Sequence, residues 1–230
     1  MTPVYVDIDA LTGKFNAKLD QSLSKLDAFG NKATTIGSAM SIAISTPLIA
    51  LAGVLVKTAS NTEESLNKVN VAFKGSADQI VSFAKTTLDS YGIAEGTALD
   101  MAALYGDMAT SMGLPTSAAA YMSKSLVGLA GDLSSFKNIS IEVANNSLKS
   151  IFTGETESLK SLGIVMTEAN LAAFALSNGV QANIRDMSES EKVTLRYAYV
   201  MDKTANAQGD FARTGGGAAN QTRILQESNE

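Results

Sequence analysis

Between Lys32 and Lys57 the chain runs for 24 residues without a single charged side chain. As a helix such a run extends about 36 Å, against a bilayer hydrocarbon core of about 30 Å. Its apolar content is diluted, however. Thr34, Thr35, Ser38, Ser41, Ser45 and Thr46 are hydroxylated, and Pro47 removes a backbone donor in the middle. A permanent span tolerates both features only where neighbouring helices satisfy the freed backbone groups. The segment therefore reads as one that inserts conditionally or packs against other helices. Its candidate membrane- or partner-facing residues are Ile36, Met40, Ile42, Ile44, Pro47, Leu48, Leu51, Val54 and Leu55. Lysines on both flanks leave no orientation bias.

Around that run the chain has the make-up of a globular protein. Its 230 residues suffice for one large domain or two small ones. The net charge is −5, and no stretch collects the clustered Lys and Arg that a phosphate backbone requires, so specific nucleic-acid binding is not expected. Cysteine and histidine are both absent. Disulfides and thiol chemistry are thereby excluded, as are the usual general base and the commonest metal ligand. The opening Met-Thr-Pro-Val-Tyr-Val-Asp-Ile-Asp places acids before any base and does not read as a signal peptide.

The periodicity is helical almost throughout. Val4 to Ile8 alternates like one short strand. From Asp9 onward Leu11, Phe15, Leu19, Leu23, Leu26 and Phe29 recur every three or four residues, an amphipathic helix whose stripe needs a partner. That helix can run on through Ile36 and Met40 until Thr46-Pro47 kinks or ends it, and a second one carries Leu48, Leu51, Leu55, Leu66, Val69 and Phe73. Beyond Phe73 the pattern predicts short helices punctuated by glycine. Ser76-x-x-Gln79 reads as a capping box before Ile80, Phe83, Leu88 and Tyr91, closed by Gly92. Leu99 to Met112 forms the next helix, ended by Gly113-Leu114-Pro115, and Met122 to Phe136 another. Ser140 caps a helix reaching Gly154, Thr167 caps Leu171–Leu176, and Ser188-x-x-Glu191 opens a helix extending to Gly209. Gly215-Gly216-Gly217 is a joint before a last helix around Ile224 and Leu225. The fold class expected is all-α, without a fixed-period repeat.

Nothing in the chain forms a catalytic, metal or cofactor site at this level. Asp7-x-Asp9 reads as a solvated strand face plus a helix cap, and Glu189 and Glu191 as first-turn acids favoured by the helix dipole. The triple glycine is not followed by Lys-Ser/Thr, so it is not a phosphate loop. Gly128-x-x-Gly131 lacks the basic surroundings of a nucleic-acid clamp, and Glu95 undercuts Gly92-x-x-x-Gly96 as a helix-dimer motif. The nine methionines read as core filler.

Several blocks, taken in order, carry a resemblance. They are Ser45-Thr46-Pro47-Leu48, Val56-Lys57-Thr58-Ala59, Glu63 to Val69 and Val71 to Ala77. Leu129-Ala130-Gly131-Asp132-Leu133-Ser134-Ser135-Phe136 comes next, then Leu148 to Leu159, Leu162-Gly163-Ile164, Ser190-Glu191-Lys192 and Arg196. The last are Ala207-Gln208-Gly209-Asp210-Phe211-Ala212-Arg213-Thr214 and Ala219-Asn220-Gln221. In order and spacing the chain resembles the N-terminal portion of phage tail tape measure proteins. Gly209, Asp210, Phe211, Ala212 and Arg213 form the most specific piece.

The resemblance implies a structural protein inside the tail of a long-tailed phage, whose length sets tail length and which leaves with the genome. It implies the tail tube protein, tail assembly chaperones and tail tip proteins as partners. Self-association through helices, and contact with the host membrane during ejection, are further expectations. The protein would then reside in the virion, and in the host cytoplasm during assembly. A fully helical chain of this length spans only about 345 Å, so a longer parent protein is expected. The divisions expected are 1–32 (strand and amphipathic helix), 33–57 (uncharged segment), 58–209 (helical domain) and 210–230 (joint and further helix). The alternative is a membrane-active, pore-forming or toxin-like protein acting through residues 33–56. A cell-wall-degrading enzyme is disfavoured by the lack of His, Cys and paired acids outside caps.

Overall fold

Alanine and glycine on the apolar faces of these helices decide how closely the helices approach. The computed structural model describes residues 55–180 and 183–227, with side chains from residue 63 onward. All regular elements among them are helical. They are α1 (Leu55–Phe73), α2 (Ala77–Ala84), α3 (Thr87–Tyr91), α4 (Glu95–Ser111), α5 (Thr116–Lys137) and α6 (Ile141–Leu148). The chain continues through α7 (Ser150–Thr153), α8 (Glu157–Ser161), α9 (Glu168–Ser177), α10 (Glu189–Lys203), α11 (Asp210–Thr214) and α12 (Ala218–Glu227), with 3-10 turns at Lys74–Ser76 and Ile184–Asp186. The all-α expectation holds. The strand at Val4–Ile8, the acids Asp7 and Asp9, the first amphipathic helix and the uncharged run through Val54 lie outside the described residues. Among the described residues no helix is long and apolar enough to cross a membrane.

Helix α5 is the centre. Residues 126–134 are buried without exception, and α1, α2, α3, α4, α6 and α11 all pack on it. Helix α4 lies between α5 and α1, burying Ala98, Ala102, Gly106 and Ala109. Such small residues let α1 come in close, with Val69 and Phe73 fully buried. At Gly106 an added Cβ would sit 2.2 Å from Phe73 Cζ, so the ring occupies the space a side chain would fill. Burying a side chain of that size stabilises by about 1.5–3 kcal/mol. At the solvent edge of the same contact, Ser65 donates to Asp100 at 2.9 Å and Lys68 reaches the same oxygen at 3.4 Å. Exposed pairs of this kind contribute little.

The second half packs around α10, which lies against α7 and α9. Tyr105 of α4 stacks on Phe152 of α7 with centroids 5.8 Å apart, and Phe174 meets Tyr199 edge-on at 5.4 Å. Met101 and Met122 are buried, while Met108 and Met112 pack half-buried on the same core, as filler residues do.

Four local expectations fail. Ser76 does not cap α2, because it ends a 3-10 turn at φ −101° and ψ 5°, and its side chain makes no cap bond. The single helix expected up to Tyr91 breaks into α2 and α3 at Lys85-Thr86, and the helix from Ser140 divides at Lys149. Helix α10 stops at Lys203, where Thr204 turns its hydroxyl back onto the Val200 carbonyl at 2.7 Å. The other caps form as read. Ser140 accepts from Val143 N, Thr167 accepts from Asn170 N, and Ser188 and Glu191 make both bonds of their box.

Overpacking the α1–α4 contact tests this geometry. Gly106→Ala is expected to lower unfolding free energy by about 1–3 kcal/mol in urea titrations. The loss should shrink markedly in a Phe73→Leu background, and equal losses in both backgrounds would show that the ring and the glycine do not compete for one space.

Candidate functional site

Three sequence blocks of the resemblance meet in space. Leu129–Phe136, buried through Ser134, lies in the C-terminal half of α5, and Gly209–Thr214 forms α11 with its entering residue. A carboxylate in the first block holds the second. Asp132, 4 % exposed, accepts from Gly209 N–H at 2.7 Å and from Phe211 N–H at 3.1 Å. Those are orphan donors at the start of α11, so Asp132 caps a helix that begins 78 positions later. Gly209 enters α11 at φ +75°, a left-handed conformation open to glycine without penalty.

Asp210 turns back onto α5. Ser135 donates to Asp210 Oδ2 at 2.7 Å, and Thr214 donates to the Asp210 carbonyl at 2.7 Å. With each hydroxyl proton so used, both oxygens accept from Asn220, whose Nδ2 lies 2.9 Å from each. Asn220 belongs to the third block. Arg223 then donates to Asn220 Oδ1 and to the Ser134 and Ile139 carbonyls at 3.2 and 3.4 Å, closing the exposed end of α5. At the far end of α12, Glu227 accepts from Ala94 N–H at 3.0 Å.

Of the residues singled out by sequence, Gly209, Asp210 and Phe211 are buried, Ala212 is half-buried, and Arg213 is exposed. Arg213 bonds the Gln208 and Asn206 carbonyls at 2.8 and 3.2 Å, tightening the turn that leads into α11. Phe211 fills the space above Gly92, where a Cβ would come 2.5 Å from the ring. Tyr91, next to it, lies across Gly128 and Gly131, whose added Cβ atoms would meet the Tyr91 ring and carbonyl at 2.9 and 2.6 Å. The Gly128-x-x-Gly131 pair is thus a seat for Tyr91. The remaining candidates from Ile36 to Val54 lie outside the described residues. Leu55 opens α1.

Burial pushes the Asp132 carboxyl up to about 6, against the two amide bonds that favour its charge; nearby Asp210 adds to the rise and Arg213 offsets it. Burial likewise pushes the Tyr91 hydroxyl up to about 12, with the Asp132 charge adding to it. The two carboxylates were not legible as a pair, because their partners are distant in sequence. Their oxygens nonetheless accept from amides and a hydroxyl, and so join α5 to α11.

No family model, curated protein or solved structure matches the chain. Function must therefore be argued from the geometry. A fourth block also finds its partner. Arg196 of α10 donates to the Ile151 and Phe152 carbonyls at 3.4 and 3.2 Å, where α7 ends. Gly154 lies so close that a Cβ there would come 2.9 Å from the guanidinium. Among the described residues no three acids gather to hold a metal.

The elevated carboxyl has a definite sign. A carboxyl that titrates near 6 when folded and 3.8 when unfolded binds its proton more tightly in the native state. Stability from this group is present at low pH and is lost as pH rises through 6. Between pH 5 and 7 wild type should therefore lose about 1 kcal/mol from this source, and Asp132→Asn should lose none of it. Parallel pH curves for the two proteins would contradict the assignment. Asp132→Ala, which strands two buried amides, should cost about 2–4 kcal/mol at pH 7.

Proposed function

We propose that this chain is a structural component of a long-tailed phage, the N-terminal part of a tape measure protein that templates tail-tube length and assists genome ejection. The observation that supports this reading is the joint itself. Three blocks of the resemblance, the first some 75 residues before the other two, supply Asp132 and Ser135, Gly209 to Thr214, and Asn220 to one hydrogen-bond network. Blocks that must bond one another keep their order and spacing for a physical reason. A fourth pairing, Arg196 with the end of α7, follows the same pattern.

The polar groups that cluster here are consumed by internal bonds, which suits an assembly protein better than an enzyme. In this reading residues 55–227 form a folded helical body. The tail tube protein, assembly chaperones and tail tip proteins are its partners, other copies associate through helices, and residues 33–56 meet the host membrane on ejection. The protein then resides inside the tail, after a period in the host cytoplasm.

Mass spectrometry of gradient-purified particles provides the first check, with peptides of this chain expected in the tail fraction and not in heads. Absence from particles would falsify the structural reading. In-frame deletions in the same gene, outside residues 55–227, should then shorten tails by about 1.5 Å per residue removed, if the deleted part is helical. Tails of unchanged length would remove the ruler and leave a tail component of another kind.

A further inference from the structure

Although acids outnumber bases in the chain, three cations line one surface cavity of about 410 Å³. Arg185 comes from the 3-10 turn at Ile184–Asp186, and Lys192 and Arg196 come from one side of α10, with Gly154 against the Arg196 guanidinium and Thr167 also in the lining. Two of the three cations are already matched within the wall. Arg185 Nε donates to Glu168 at 3.0 Å, and Lys192 Nζ to Glu189 at 2.9 Å. Arg196 differs. Its Nη1 is spent on two main-chain carbonyls, which fix the guanidinium without neutralising it, and Glu189 acts on it only through space. Burial works against its charge.

We propose that this cavity is an oxyanion site, in which Arg196 receives a carboxylate or phosphate group that the described chain does not itself supply. A guanidinium is planar and presents several N–H donors in a fixed fork, so binding two carbonyls through one nitrogen leaves donors for an incoming anion. The paired Glu168 and Glu189 make the rim neutral and limit the site to one anionic group. A volume of about 410 Å³ lies in the range of small-molecule sites, so the group belongs to a ligand larger than a bare ion. The site is separate from the Asp132 joint and does not depend on the phage reading.

The test uses the whole chain at constant ionic strength, with chloride exchanged for inorganic phosphate or for acetate. The readouts are the Arg196 side-chain Nε–H resonance and the melting temperature. Saturable shifts are expected in wild type with at least one of the two anions; tighter phosphate names a phosphoryl ligand, and tighter acetate a carboxylate. Arg196→Gln should weaken binding about tenfold or more, the scale of a lost charge-assisted pair. Because that change also frees two carbonyls, Arg185→Gln is the companion. It touches neither carbonyl, leaves Glu168 unmatched, and should weaken binding several-fold. Lys160→Gln, exposed and paired elsewhere with Glu157, should leave it unchanged. Shifts that fail to saturate with either anion, or that are equal in wild type and both arginine variants, overturn the site.

Discussion

Aromatic rings seated on bare glycine backbone hold this molecule together. The Phe73 ring sits on Gly106, the Tyr91 ring on Gly128 with the Tyr91 carbonyl against Gly131, and the Phe211 ring on Gly92. Each contact joins a different pair of elements: α1 to α4, the end of α3 to α5, and α11 back to the end of α3. Because Gly92 follows Tyr91 directly, the last two contacts form one stack, with α5 below and α11 above. Rings of this size bring large buried area, while the missing Cβ brings the backbones into range. Helices rich in alanine have little else with which to specify one another, so the glycine positions set which faces meet.

The same close approach accounts for the polar joint. With Tyr91 pressed onto Gly131, the neighbouring Asp132 is shut away from water and must find donors in the protein. It finds them at the start of α11, which Phe211 brings into place. An apolar contact and a charged cap therefore reinforce one another across a single turn of α5, and each loses its geometry without the other. The Arg196 cavity is built on a different principle, since there a charge is held in position by main-chain carbonyls and has no carboxylate bonded to it.

Much of this architecture was readable from periodicity and punctuation. The caps at Ser140, Thr167 and Ser188 and the glycine stop at Gly92 depend on residues within four positions of each other, so local chemistry decides them. The failures are also local in form but tertiary in cause. Ser76 has the right neighbours for a capping box, yet a 3-10 turn between α1 and α2 denies it the extended backbone a cap requires. At the candidate site, Gly209 to Arg213 stood out as a motif, whereas the role of Asp132 did not. A lone acid within a run of apolar and small residues gives no sign of its partner 77 positions away. Arg185 and Lys192 were not singled out as site residues, because only the meeting of three elements makes a cavity of them.

The cap supplied by Asp132 has a consequence for synthesis. The carboxylate is synthesised well before the amides it binds. Until residues 209–211 have been made, its oxygens have neither donor, and a carboxylate in that state is best left in water. Docking of α11 is thus a desolvation step, gated by the order in which the chain is made. The network is complete only once the polypeptide has grown past Asn220.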